Sequence, residues 1–192
     1  MDDKVRCSWI GHDSMSVNYH DHEWGRVVHD DILLFENLCL ESFQAGITWF
    51  EVLRKRNALR LAFDGFDFNK IAMYSETKIA SIMADNRVIQ NRLKIEAIVN
   101  NAWLVLNIIE KYGSFDKFIW EYVDYKPIVG HWNKLKDVPI YTPLSEKIGK
   151  DLKRMGFSFV GPIIIYSFMQ ASGMVNDHLV NCFVYKELMG LG

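Results

Sequence analysis

The stretch from Val88 to Tyr112 constrains the fold of this chain more than any other. Ile95, Ile98, Val99, Ala102, Leu106 and Ile109 recur at three- and four-residue steps, a spacing that gathers side chains on one face of an α-helix and on neither face of a strand. Gly113 follows as a C-terminal cap. A helix with such an apolar stripe has to bury it against other helices, and the same period continues on both sides. An earlier helix is expected to begin after Asp30 or Asp31 and to turn Leu34, Phe35, Leu38 and Phe43 inward, with Gly46 marking an irregularity before Trp49. Short helices are predicted at Asn69 to Tyr74, Thr77 to Asp85 and Phe115 to Val123. Between Asp124 and Leu144 the pattern weakens and prolines gather, as in a long connection between two lobes. Ser145 is then expected to cap a helix carrying Ile148, Leu152 and Met155 on one face. It stops at Gly156, and Pro162 suits the first turn of the next helix. Strand signals are sparse, so the expected class is all-α.

Composition narrows the partners. A chain of 192 residues with 49% hydrophobic and 24% charged residues is expected to be a single domain, residues 1–192, of two helical lobes. Its net charge of -2 carries no global basic footprint for nucleic acid, so any DNA contact must be local. Aromatic residues at 14% could be core or stacking surface. The first residues, Met1 to Asp13, contain no apolar run of the secretory kind, and a cytoplasmic location is the expectation. The uncharged segment Gly156 to Asn176 could reach across a bilayer by length alone. Its Pro, Gln, Asn and several Ser argue for a turn and a buried helix, and no membrane association is expected.

Three cysteines in a reducing compartment point to metal binding, reactivity or packing rather than disulfides. On a helix, His178 and Cys182 would lie one turn apart and could hold one ion, although a half-buried histidine over a buried cysteine accounts for that spacing somewhat better. Cys7 and His20, in a loop-like N-terminal segment, could complete a closed tetrahedral site. Cys39 sits in an apolar helical run and reads as core. Likewise, residue type alone would turn Glu41 to solvent and bury Trp49, yet their step of eight puts both on one face if the helix continues.

These residues lie inside longer strings. RCSW (Arg6 to Trp9), YHDHEWG (Tyr19 to Gly25), LFENLCLESFQAGITWFEVLRKR (Leu34 to Arg56), NRLKIEAIVNNA (Asn91 to Ala102), YGSF (Tyr112 to Phe115) and LKRMGFSFVGPIIIYSFMQASGMVNDHLVNC (Leu152 to Cys182) occur in this order. Together they cover nearly the whole chain, which resembles the 3-methyladenine DNA glycosylase I family. The resemblance implies a helical fold of the helix-hairpin-helix glycosylase superfamily, in which Cys7, His20, His178 and Cys182 hold one structural zinc ion joining the N- and C-terminal segments. It implies hydrolysis of the N-glycosidic bond of 3-methyladenine in alkylated double-stranded DNA, by a monomer. Glu41 becomes the main carboxylate for recognition and rate, Trp49 stacks on the base, Tyr19 orients them, and Trp9 and Trp24 complete the aromatic wall. Asp177 occupies the place where many related glycosylases carry a catalytic Asp, but this family lacks that residue, and Asp177 is expected to cap the helix of His178.

A glycosylase also has to hold DNA. Backbone N–H groups near Gly156, Val160 and Gly161 could bind phosphate ahead of the Pro162 helix. Lys147, Lys150, Lys153 and Arg154 supply a candidate basic patch beside them, and Arg54, Lys55, Arg56 and Arg60 a second one. The sequence departs from the family pattern at Ser14 and Ser16, where Pro and Tyr are usual, and at Arg26-Val27-Val28 after the Glu-Trp-Gly. One wall of the pocket is therefore expected to differ. Two other readings fit the composition: a non-catalytic protein binding damaged or single-stranded nucleic acid, and a zinc-stabilised scaffold whose aromatics are all core.

Overall fold

A computed structural model describes residues 3–191, and these are mostly helical. The first helix, α1 (Ser14–His22), starts where the Asp13 carboxylate accepts the Ser16 N–H at 2.8 Å. The N-terminal segment is therefore not a loop at His20, which α1 carries. Next comes α2 (Asp31–Gln44), capped by Asp30 accepting from the Leu33 N–H. As expected it turns Leu34, Phe35, Leu38 and Phe43 inward, but Glu36, Cys39, Leu40, Glu41 and Ser42 are buried too. A helix buried on nearly every side is a central one, and α2 packs on four others.

The irregularity expected at Gly46 is a full break, so Glu41 and Trp49 do not share one helix. Gly46 takes φ 89°, and the Thr48 hydroxyl caps a new helix, α3 (Trp49–Ala62), through the Glu51 N–H. Two short helices, α4 (Phe68–Ile71) and α5 (Glu76–Ala84), lead to α6 (Arg92–Tyr112). The last of these begins four residues later than its apolar pattern, because the Asn91 side chain accepts from Lys94 N–H and fixes the start there. Its buried face includes Ile95, Ile98 and Ala102 as read, together with Leu104, Val105 and Ile108, while Val99, Leu106 and Ile109 sit at the stripe's half-buried margin. Then follows α7 (Phe115–Trp120), extended by a 3-10 turn at Glu121–Val123.

The weakly patterned segment contains β1 (Ile128–Val129), which pairs in parallel with β2 (Val175–Asn176). Two residues per strand are too few to leave an alternation in the sequence. The helix α8 (Pro143–Arg154) is capped by Thr142, not Ser145. Ser145 closes a capping box from the third helical position instead. Ile148 and Leu152 are buried, but Met155 lies past the helix end and is exposed. From Gly156 the chain turns back through Val160 into α9 (Pro162–Ala171), with Pro162 in its first turn. The two helices pack closely. A Cβ at Gly149 would stand 2.6 Å from the Val160 carbonyl oxygen, so this approach requires glycine. Among the described residues no helix is long and apolar enough to cross a membrane. The chain ends its described course in α10 (Phe183–Leu188).

Candidate functional site

Cys7, His20, His178 and Cys182 come together although they are far apart in sequence. All four are buried and their ligand atoms lie within 4.8 Å of one another, a set that could hold a metal ion. Cys7 Sγ is 3.5 Å from His178 Nδ1, and Cys182 Sγ is 3.5 Å from His20 Nε2 and 3.6 Å from His178 Nδ1. The outer ring nitrogens are engaged elsewhere. His20 Nδ1 meets the Asp21 carboxylate at 2.8 Å, which Arg6 clamps from its other side, and His178 Nε2 meets the Trp24 carbonyl at 3.0 Å. Such contacts fix which nitrogen of each ring faces the centre. The Cys182 thiol is pulled down by its hydrogen bond with Cys7, then by His178 and His20, while Cys7 is pushed up by the same bond and by burial.

The expected helix under His178 and Cys182 is absent. His178 follows β2 in a loop, and Cys182 stands at the cap position ahead of α10. Asp177 consequently caps nothing. Its carboxylate is buried and accepts from Tyr166 Oη at 2.6 Å, Trp132 Nε1 at 2.7 Å and Gln170 Nε2 at 2.8 Å. A Cβ at Gly25 would fall 2.9 Å from the His178 ring, and Gly25 holds φ 77°, so only glycine lets the chain bend around the cluster there.

Beside the cluster lies a cavity of about 330 Å³ between α1, α2, α3 and α9. Trp9, Tyr19, Trp24, Glu41 and Trp49 all line it, so every base-contact candidate from the sequence reaches one space. Separate helices bring Glu41 and Trp49 there, with the turn at Gly46 between them. Tyr19 packs against Trp49 with ring centroids 5.1 Å apart, and Trp9 meets Trp24 edge-on at 5.0 Å. The same indoles touch the metal-type cluster, Trp9 on His20 and Trp24 on His178. Cluster and cavity therefore share a wall.

Glu41 Oε2, Trp9 Nε1 and Trp49 Nε1, buried polar atoms of residues lining this cavity, have no partner among the described residues. Leaving such groups unpaired costs about 1–3 kcal/mol each, so the arrangement suits something that enters and bonds to them. Burial raises Glu41 from the usual 4.5 to about 8. Burial, and then the neighbouring Glu41, likewise raise Tyr19.

Residues 9–185 match the family model for methyladenine glycosylase. A DNA-3-methyladenine glycosylase of Haemophilus influenzae is 45% identical over 179 residues, covering 93% of this chain and 96% of that protein. The chain belongs to the methyladenine glycosylase family. DNA-3-methyladenine glycosylase 1 of Escherichia coli is 42% identical over 94% of this chain and 96% of its own length. A solved structure of 3-methyladenine DNA glycosylase I from Staphylococcus aureus, addressing the basis of 3-methyladenine recognition, aligns with a TM-score of 0.90 at 38% identity. It covers 93% of this chain and 95% of that one.

Several residues of the cavity were not candidates from the sequence, namely Gln44, Tyr166, Ser167, Gln170 and the apolar rim of Leu135, Val138, Pro139 and Ile140, and Asp177, expected to cap a helix, lines the cavity instead. Tyr166 and Gln170 are four residues apart, which was a legible sign of one polar helix edge. Ser16, where the pattern has Tyr, is buried in the first turn of α1 and does not line the cavity. Arg26 bonds to the Asp21 carbonyl and Glu187.

The basic patches are mostly spent on ion pairs. Lys147 and Arg154 pair with Asp151, and Lys150 with Glu146. Only Lys153 of that run has no side-chain partner among the described residues. In the second cluster Arg54, Arg56 and Arg60 pair with Glu51, Glu23 and Glu36, and Lys55 donates to the carbonyls of Asn86, Arg87 and Val88. That cluster is structural. At the hairpin, the Gly156 N–H is taken by the Lys153 carbonyl, which removes it as a phosphate donor, and the Val160 side chain is buried. The N–H groups of Phe159, Val160 and Gly161 have no protein acceptor among the described residues.

Proposed function

We propose that this chain hydrolyses the N-glycosidic bond of 3-methyladenine in alkylated DNA, a base-excision step of DNA repair. The observation that carries the reading is Glu41: a buried carboxyl with an unpaired oxygen, in a cavity walled by tryptophans and a tyrosine, in a chain whose relatives are named for that activity. To reach such a cavity the nucleotide has to leave the duplex stack. 3-Methyladenine is cationic while attached to its sugar. Stacking on Trp49 and Tyr19 then gains roughly 0.5–2 kcal/mol of cation–π attraction that neutral adenine does not. A cation beside Glu41 also favours its carboxylate form, and that charge discriminates further. When the bond from the sugar to the base breaks, its electron pair moves onto the ring and neutralises the base. The sugar is left oxocarbenium-like, and water adds to it and releases a proton. A base that leaves neutral needs no acid, so positioning and electrostatics carry the rate.

Zinc is the metal we assign to the cluster. Tetrahedral bonds of about 2.3 Å to sulfur and 2.0–2.1 Å to nitrogen place the two elements about 3.6 Å apart, and the sulfur–nitrogen separations here are 3.5, 3.5 and 3.6 Å. With four protein ligands the ion has no open position. Its role would be to pin α1 and the segment bearing Trp9 and Trp24 to the loop after β2. For DNA we assign a helix-hairpin-helix contact: the free N–H groups at 159–161 would take a backbone phosphate of duplex DNA, with Lys153 beside them, and the chain would act as one monomeric domain of two lobes.

The test is to incubate the purified protein with methylated duplex DNA and separate the released bases. Free 3-methyladenine is the expected product. Binding without release would favour a non-catalytic damage-binding protein, and neither would favour a scaffold.

A further inference from the structure

The string Asn91 to Ala102 supplies no residue to the cavity or to the metal cluster, yet two of its polar side chains are buried. Lys94 and Asn101 are two helical turns apart and so share a face of α6. Lys94 Nζ donates to the carbonyls of Phe43 at 2.8 Å and Ala45 at 2.5 Å, the exit of α2. Unpaired carbonyls and the helix dipole favour a cation at that point. The turn it clamps joins Glu41 to Trp49. Two turns along, Asn101 exchanges a pair of hydrogen bonds with Ser158 in the hairpin: Nδ2 donates to the Ser158 carbonyl and Oδ1 accepts its N–H, both at 3.0 Å. Exposed Asn100 adds a bond to the Gly156 carbonyl at 3.0 Å. From α2, the Ser42 hydroxyl, next to Glu41, lies 3.2 Å from the Phe159 carbonyl. Phe159 itself sits at φ 55°, a conformation that non-glycine residues keep only where their surroundings hold them.

We propose that α6 is a strut between the hairpin and the cavity, and that Asn101 is the positioning residue that sets the hairpin's distance from Glu41. The proposal rests on the reading of the hairpin as the part that grips DNA. A flipped nucleotide remains tied to the backbone by its phosphates, so the place of its sugar relative to Glu41 depends on where the hairpin holds the strand. An error of about 1 Å in such a placement can cost about a hundredfold in rate. Free base carries no phosphate, and its binding does not depend on the strut.

That difference provides the test. Asn101→Ala is compared with the parent protein in single-turnover excision from a duplex carrying 3-methyladenine at saturating enzyme, and in binding of free 3-methyladenine followed by tryptophan fluorescence. The expected result is a loss of about tenfold or more in the saturating excision rate with free-base affinity unchanged. An excision rate equal to the parent's overturns the proposal, as does a parallel loss of free-base affinity, which would mark general damage to the fold. Should Asn101→Ala fail to fold, Asn100→Ala removes only the outer bond from an exposed position. A severalfold loss of excision at constant base affinity supports the strut, and no loss refutes it. If the parent protein releases no base from methylated DNA, the glycosylase reading itself has failed, and this control separates the two outcomes.

Discussion

Replacing Glu41 by Gln is expected to abolish excision and at the same time to stabilise the protein increasingly as pH rises. Burial carries the carboxyl from 4.5 to about 8. The unfolded chain therefore gives up this proton near pH 4.5 while the folded chain keeps it until about pH 8. Between those values the unfolded state binds fewer protons, so stability is fully present below 4.5 and is lost as pH rises through 8. The interval of roughly 3.5 pH units at about 1.36 kcal/mol each sets a ceiling of about 5 kcal/mol, of which about 3 kcal/mol has gone by pH 7. Glutamine has no proton to lose. Measured by urea unfolding at pH 5, 6 and 7, the stability of Glu41→Gln relative to the parent should climb by about 2.5 kcal/mol across that range. In a thermal melt this corresponds to a gap that widens by roughly 5–10 °C for a domain of this size. Other titrating groups are common to both proteins and cancel in the difference. A gap that stays constant from pH 5 to pH 7 would mean that Glu41 ionises like an exposed carboxylate, and the argument from burial would be wrong.

Removing a cluster ligand with Cys182→Ala should lower the metal content, measured by elemental analysis of protein purified without chelator, from about one zinc per chain to none. A parent protein without zinc would refute the assignment. Asp177→Asn turns an amide toward one of three donors and should cost about 1–3 kcal/mol of stability while leaving single-turnover excision within about threefold of the parent. A loss of many hundredfold would instead make Asp177 a reacting group. Lys153→Ala should weaken duplex binding and reduce the slope of log affinity against log salt by about 0.9. Lys150→Ala, whose cation is already matched by Glu146, should change that slope less.

Where side chains themselves end a helix, the sequence was a good guide: Asp30 and Pro162 mark real starts, and Gly113 and Gly156 real ends. Gly46 likewise marks a real break, and the step of eight from Glu41 to Trp49 implies one face only for a helix that continues. Thr48 restarts the helix between Glu41 and Trp49, and the two reach the same cavity by a different route from the one their spacing implied. The base-contact and metal candidates were legible because they belong to long ordered strings. In the second half of the cavity only the Tyr166–Gln170 edge of α9 is legible, since Gln44 meets it through the packing of α2 on α9. The basic run before the hairpin could have been discounted on sight: Glu146 and Asp151 stand three or four residues from Lys147, Lys150 and Arg154.

The cluster that joins Cys7 to His178 spans 171 positions of sequence. At synthesis rates of about 5–20 residues per second, roughly ten to thirty seconds separate the appearance of Cys7 from that of its partner. Throughout that interval Trp9, Tyr19 and Trp24 have no fixed wall to join, and Glu41 on α2 faces an open cleft. A chain still short of Cys182 therefore lacks the residue that brings the last sulfur beside His20 and His178. The wall that cluster and cavity share can be completed only once Cys182 has been made and the two ends meet.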